Sequence, residues 1–402
     1  MSFNSFTLDP AILTNINKIG YKTPTPIQAQ SIKPILAGQD IMGLAQTGTG
    51  KTAAFALPII NKLLKGPRKC VRALIVAPTR ELAQQIHDNI KQYSSGTGLR
   101  SITLYGGVNI NTQIKSLNQG VEIVVACPGR LLDHLKQKTI SLSKVEALVL
   151  DEADQMFDMG FLPSIRQLLK HLPKKRQTLL FSATMPSEIN QLAQDILQKP
   201  VTIEVGKIAP AKSVKQTLFP IAQQLKEPLL IKILQTNKSD SVLVFTRTKH
   251  RAKKLAFKLE KAGFKATSLQ GNLSQSKRQT AMTGFRDGSL QILVATDIAS
   301  RGIDVLTISH VINYDMPDTV EAYTHRIGRT GRADKKGEAF TLITNEDSSQ
   351  VRKIERVLGY KLNQHKFDDF DYTANNKSKV NPPAQQGQRK PRRNPNAAKT
   401  FR

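Results

Sequence analysis

Short apolar runs rich in Val, Ile and Leu recur along the chain, with amphipathic stretches between them. In the first half these runs are Ile41–Ala45, Ala73–Ala77, Glu122–Ala126, Ala147–Leu150 and Thr178–Phe181. Each is nearly continuous and ends at polar or glycine-bearing residues, the signature of strands buried on both faces of a parallel sheet. Between them, Arg80–Tyr93 and Gly129–Lys136 carry apolar residues at helical spacing. The pattern pauses at Gly206–Ser213 and restarts with Ser241–Thr246, Gln291–Ala295 and Ser309–Asn313, separated by helical segments such as His250–Ala262. Alternating strand and helix predicts two α/β domains whose ligands sit at the carboxyl ends of the strands. No fixed period repeats, which argues against solenoids and propellers.

Composition narrows the class. The 402 residues suffice for two or three domains, and the 39% hydrophobic share is that of a globular chain. The 59 Lys and Arg against 31 Asp and Glu leave a net charge of +28, which favours a polyanionic partner. A membrane is disfavoured, since no apolar run approaches about 18 residues. The first residues lack the basic and apolar regions of a secretory signal. Two cysteines, Cys70 and Cys127, make neither a disulfide framework nor a metal-ligand set. A reducing, cytoplasmic setting is the expectation. From Asn375 onward Pro, Gln and Asn prevail, with eight Lys and Arg and no acid. That segment cannot bury enough surface to offset its chain entropy, so a disordered basic tail able to neutralise RNA phosphates is expected.

Two motifs carry chemistry. Ala45-Gln46-Thr47-Gly48-Thr49-Gly50-Lys51-Thr52 follows the first predicted strand and opens an apolar helix. Glycines there let backbone N–H groups converge on phosphate oxygens, and the helix N-terminus adds positive potential. Lys51 would reach the β- and γ-phosphates and Thr52 would bind Mg²⁺. About a hundred residues further on, Leu148–Leu150 runs into Asp151-Glu152-Ala153-Asp154. Asp151 suits Mg²⁺, a hard cation that takes carboxylate oxygen. Glu152 suits polarising the attacking water as general base. ATP and Mg²⁺ are thus the expected ligands.

The Asp-Glu-Ala-Asp string, with the motifs around it, resembles the DEAD-box RNA helicases. Gly20–Gln28, with Phe3 upstream, is similar to that family's adenine-reading Q motif. Pro78-Thr79-Arg80-Glu81-Leu82, Gly106-Gly107 and Pro128-Gly129-Arg130 resemble its RNA-contacting motifs, and Ser182-Ala183-Thr184 its coupling segment. Val244–Arg247, Gln270-Gly271-Asn272 with Arg278, Ala295–Asp304 and His325–Arg332 resemble the motifs of its second domain. The likeness runs from about Phe3 to Leu362. The start at Met1-Ser2-Phe3 and the Phe370-Asp371-Tyr372-Thr373 lead into the tail resemble the bacterial RhlE group. One departure is Cys127, where the family usually has Thr.

The resemblance implies two tandem RecA-like domains, each a parallel sheet flanked by helices. They would span 1–206 (Q motif within 1–30) and 214–374, with a linker at 207–213 and the tail at 375–402. It implies that Tyr21, Thr23 and Gln28 hold the adenine and that Asp304 holds the ribose. Arg329 and Arg332 would act as arginine fingers from the second domain, so hydrolysis would need closure. Asp154, Ser182, Thr184, His325 and Arg326 would couple that closure to hydrolysis. RNA would be held by Pro78, Thr79, Arg80, Gly106, Gly107, Pro128, Gly129, Arg130, Arg247, Gly271 and Thr296, through its backbone and with little sequence preference. The implied activity is ATP-dependent unwinding of short RNA duplexes and ribonucleoprotein remodelling. The alternatives are an ATP-gated RNA clamp or annealing factor, and a DNA helicase with the same engine. The core would be monomeric, with RNA-degradation or ribosome-assembly proteins as partners.

Overall fold

The structure, a computed structural model, describes residues 2–45, 48–205, 214–237, 240–300, 308–331 and 337–373. Gln46, Thr47, Asp304, Arg332, the expected linker and the whole of the expected tail lie outside the described residues.

Two seven-stranded sheets organise the chain, and each is parallel throughout. The first contains β1 (Ile41–Ala45), β2 (Ala73–Val76), β3 (Ser101–Leu104), β4 (Ile123–Ala126), β5 (Ala147–Leu150), β6 (Gln177–Ser182) and β7 (Val201–Val205), in the order β3-β4-β2-β5-β6-β1-β7. The second contains β8 (Val214–Pro220), β9 (Val242–Phe245), β10 (Ala266–Leu269), β11 (Ile292–Ala295), β12 (His310–Asn313), β13 (Gly337–Ile343) and β14 (Asn363–Gln364), in the order β10-β11-β9-β12-β13-β8-β14. Strand for strand, the two orders are the same. The strands β2, β4, β5, β6, β9 and β11 are buried along their whole length, and the apolar runs predicted all of them, together with β1 and β12. The edge and near-edge strands β3, β7 and β10 are half exposed and interleave polar residues. Their apolar runs are too short to stand out.

Helices cover both faces. The helix Lys51–Leu63 is apolar on nearly every side because it lies between its own sheet and the helices Pro26–Leu36 and Arg80–Tyr93. Phe55 from it meets Phe181 of β6 at 5.6 Å between ring centres. Burial of this helix fixes where its first residue, Lys51, sits. Among the described residues no helix is long and apolar enough to cross a membrane.

Candidate active site and nucleic-acid cleft

β1 and β5 end on the same edge of the first sheet with only β6 between them. That spacing brings the loop after β1 against the acidic segment after β5. Lys51 and Asp151 are both buried, and the Lys51 Nζ stands 3.8 Å from Asp151 Oδ1. The ammonium is buried without a hydrogen-bond acceptor, an arrangement suited to an incoming anion. Asp151 accepts from the Glu152 N–H at 3.0 Å. Burial pushes the Asp151 carboxyl up to about 6, against the pull of Lys51.

Glu152 lies in the left-handed region, at φ 53°. For a non-glycine residue this conformation costs about 1–3 kcal/mol and persists only where the surroundings enforce it. It turns the chain from β5 into the helix Ala153–Asp158 and leaves the carboxylate at the cavity wall. The cavity, about 430 Å³, is large enough for a small-molecule ligand. Its lining includes Tyr21, Thr23, Gln28, Gly48, Gly50, Lys51, Thr52, Asp151 and Glu152. The two expected portions of the nucleotide site therefore share one wall. Ala45 is buried at the end of β1, and Thr49 follows Gly48 in the loop.

Gln28 clamps this loop. Its Oε1 accepts from the Thr25 N–H at 2.9 Å, and its Nε2 donates to Gly50 O at 3.1 Å. Gly50 has φ 93°, and a Cβ there would come within 2.5 Å of Gln28 Nε2. Only glycine allows both the turn and the clamp. Tyr21 stacks on Phe3 at 6.0 Å, and its hydroxyl shares a 3.0 Å hydrogen bond with that of Tyr93. The upstream aromatic thus props the ring that borders the cavity. Thr52 and Asp151 offer hard oxygen donors on the same wall, and a buried carboxylate with a raised pKa fits a cation there. Mg²⁺ takes one or two carboxylates beside substrate phosphates, so this donor set suits it.

Asp154 faces away, into a network with β6. Ser182 Oγ accepts from the Asp154 N–H at 3.1 Å and donates to Thr184 O at 2.6 Å. Asp154 Oδ2 accepts from Thr184 N–H and Oγ1–H at 3.0 and 3.1 Å. His325, from the second sheet, lies near Asp154 and Glu152, but burial dominates and lowers its pKa. No hydrogen bond joins it to Asp154, whose Oδ1 has no partner. His325 and the buried Arg329 share a small cleft with Gln155 of the first sheet. Arg326 is spent within its own domain: it grips Asp297 with two bonds of 2.6 and 2.7 Å and donates to Asn313 Oδ1 and Asp315 O.

Several of the residues expected to hold RNA are joined by direct contacts. Thr79 caps the helix Arg80–Tyr93 by accepting from Leu82 N–H, directly after buried Pro78. The Arg80 guanidinium lies beside Gly106 and Gly107; a Cβ on Gly107 would come within 2.1 Å of it. Arg80 also donates to Gln275 of the second sheet at 3.3 Å. Arg278 Nε meets Glu81 Oε1 at 2.7 Å, an almost fully enclosed ion pair between the sheets. Arg130 donates to Val108 O and to Gln113 Oε1, and Gln113 donates to Tyr105 O. His134, fully buried, contacts Gln113 Oε1 at 2.9 Å and Thr139 Oγ1 at 2.7 Å. Glu81, Gln113, His134 and Gln275 were not among the expected site residues. Only Glu81 had a sequence signal, its place inside the Pro78–Leu82 string.

Gly129 and Gly271 are exposed, with open space where a Cβ would stand. Pro128 opens the helix Pro128–Lys136, whose N-cap, Cys127, makes no capping hydrogen bond. Burial holds the Cys127 thiol protonated, pushed up to about 12. Arg247 is exposed and pairs with Asp318 at 3.3 Å, while its N–H donates to Asp315. Thr296 is half-buried at the end of β11.

Comparison with known proteins agrees with this layout. The family described as DEAD/DEAH box helicase matches residues 25–192, and that described as helicase conserved C-terminal domain matches 225–334. The DEAD-box ATP-dependent RNA helicase CshA of Bacillus cereus is 40% identical over 364 residues, 90% of this chain and 69% of that protein. Saccharomyces cerevisiae Dbp5 bound to RNA and ADP–BeF₃ matches with a TM-score of 0.82 at 29% identity, over 92% of this chain and 96% of that one. A DEAD box protein from Methanococcus jannaschii matches with a TM-score of 0.53 at 40% identity, over 91% and 99%. With phosphate loop, acidic segment and two like-ordered parallel sheets all in place, the chain belongs to the DEAD-box ATP-dependent RNA helicases, enzymes that hydrolyse ATP.

Proposed function

We propose that the two domains, bounded near residues 206 and 214, close on ATP and RNA together, and that this closure drives both hydrolysis and local separation of short RNA duplexes. The observation that carries this reading is the division of the site. Lys51, Asp151 and Glu152 belong to the first sheet, whereas His325 and Arg329, packed beside Gln155, belong to the second. The ion pair Glu81–Arg278 across the sheets supports a closed arrangement. So does the better whole-chain match to the RNA- and ADP–BeF₃-bound yeast protein than to the more identical M. jannaschii one.

Gln28, Tyr21 and Thr23 hold the adenine, and the loop Ala45–Thr52, including Gln46 and Thr47, wraps the phosphates. Lys51 meets the β- and γ-phosphates as a point charge, and Glu152 takes the proton of the attacking water. Mg²⁺, held by Thr52 and Asp151, would neutralise phosphate charge when bound. Arg329 and Arg332 stabilise charge on the transferring phosphoryl group, and Asp304 holds the ribose. Asp154, Ser182, Thr184, His325 and Arg326 report the state of the nucleotide to the residues that grip RNA. Gly106, Gly107, Gly129, Gly271 and the N-terminal end of the helix Pro128–Lys136 offer backbone N–H groups to RNA phosphates, while Arg80, Arg130, Arg247 and Thr296 add side-chain contacts. Such contacts position without reading bases. The Phe370–Thr373 segment, leading into a basic tail, supports a placement near the RhlE group. A cytoplasmic, monomeric core serving ribosome assembly or RNA turnover fits that placement.

The test is ATP hydrolysis with and without RNA or DNA, for the wild type and Glu152→Gln, alongside release of a short labelled duplex. Hydrolysis stimulated by RNA and not DNA, and lost with duplex release in the variant, is the expected result. RNA-stimulated hydrolysis with the duplex left paired would replace unwinding by an RNA clamp.

A further inference from the structure

The helix Lys249–Lys261 starts two residues after Arg247, capped by Thr248. Only Ala252, Leu255, Ala256 and Leu259 are buried, and they form a single stripe. At 100° per residue, His250, Lys254, Phe257 and Lys261 align on the opposite side, with Lys253 next to them. This exposed line is about 16 Å long at 1.5 Å per residue.

Its charge is one-sided. The helix holds six Lys and Arg against one acid, Glu260. Arg251 is paired with Asp315 and Lys258 with Glu227, so those two are spent inside the domain. Lys249 donates to Asn272 Oδ1 at 3.1 Å, tying the start of the helix to the Gln270–Asn272 loop. Lys253, Lys254 and Lys261 have no acidic partner among the described residues. In the middle of this line Phe257 is 54% exposed, with Lys261 Nζ 4.7 Å from its ring centre. A solubilising face needs cations but has no use for an open aromatic ring among them. Unpaired cations around an exposed ring offer the two things an RNA strand takes from a protein, phosphate neutralisation and a π-face for a base.

We propose that the outer face of this helix is an auxiliary RNA-binding surface, continuous with the cleft, which holds the RNA flanking the segment gripped between the domains. The inference rests on the RNA reading above. RNA is the occupant favoured because the cleft already delivers a polyanion to the Arg247 end of this helix. Its lysines act on strands long enough to leave the cleft.

The experiment uses the full chain, a triple variant (Lys253→Gln, Lys254→Gln, Lys261→Gln) and Phe257→Ala separately. Binding is measured to single-stranded RNAs of about 8 and about 25 nucleotides, the first short enough for one cleft-sized site, over a range of salt. The triple variant should bind the long RNA about tenfold more weakly and lower its salt slope by about 2, since each phosphate contact on a single strand contributes about 0.7. Its affinity for the short RNA should stay within about twofold of the wild type's. Phe257→Ala should weaken long-RNA binding several-fold and leave the salt slope unchanged, because stacking releases no counterions. Equal losses for both RNAs would overturn the proposal, as would no loss for either. If long-RNA binding is intact while the triple variant loses an acidic protein partner, the face serves protein docking and the proposal again falls. Should wild-type hydrolysis ignore RNA of both lengths, the RNA reading itself fails, a result separate from any change in the variants.

Discussion

Behind β1 the chain enters a glycine loop and reaches Lys51; behind its counterpart β8 it runs through Ile221 and Ala222 to Lys226 with no such loop. Behind β5 stands Asp151, whose N–H donates to Val76 O of β2. Behind the matching β12 stands Asp315, whose N–H donates to Phe245 O of β9. Each sheet thus brings a buried lysine and an aspartate to the same edge. In the first, the pair is 3.8 Å apart beside an open cavity. In the second, Lys226 donates to Tyr314 O at 3.1 Å, while Asp315 is taken by Arg251 and by the Arg247 N–H. The same architecture leaves an open cavity once and an internal plug once. Topology supplies the position, and loop chemistry decides what it does.

Replacing each lysine separates the two cases most sharply. Lys51→Ala should reduce ATP hydrolysis at least about 100-fold, the scale of losing one charge-stabilising group. Lys226→Ala should leave hydrolysis by the folded protein within a few-fold and cost about 1–3 kcal/mol in denaturant unfolding, as the Tyr314 carbonyl loses its donor. Comparable losses of hydrolysis would break the comparison. The junction between the sheets comes next. Breaking Glu81–Arg278 with Arg278→Ala should weaken the mutual tightening of ATP and RNA about five- to thirtyfold. Exchanging the two residues should restore part of it.

A smaller effect is expected inside the first sheet. Gln113→Ala releases Arg130 and the loop after β3, and should raise the RNA concentration for half-maximal stimulation several-fold while the KM for ATP stays put. The smallest concerns His134, whose pKa burial lowers from its ordinary 6.5. The unfolded chain takes up that proton more readily, so the stability contributed by neutral His134 is present above about pH 6.5 and is lost as pH falls below it. Unfolding midpoints from pH 7.5 to 5.5 should fall less steeply in His134→Asn than in the wild type.

The central strands and the phosphate loop were legible because each is a contiguous string whose chemistry does not depend on distant residues. Lys51, Asp151 and Glu152 could be placed at strand ends from local pattern alone. Strands β3, β7 and β10 were not legible, since half-exposed strands mix polar and apolar residues. Neither was the Glu81–Arg278 pair, whose partners are 197 residues apart in sequence. The buried Gln113–His134 contact joins two ordinary helical positions that only packing makes neighbours. The shared strand order of the two sheets left no repeat in sequence, because sheet order depends on burial and crossover connections, which many residues satisfy.

Reciprocal linkage tests the divided site most directly. RNA affinity would be measured with and without a non-hydrolysable ATP analogue, and analogue affinity with and without RNA. Closure over a shared site requires both ratios to be the same factor, above about fivefold. RNA binding indifferent to the analogue would mean that the two domains do not build one site, and would contradict the account.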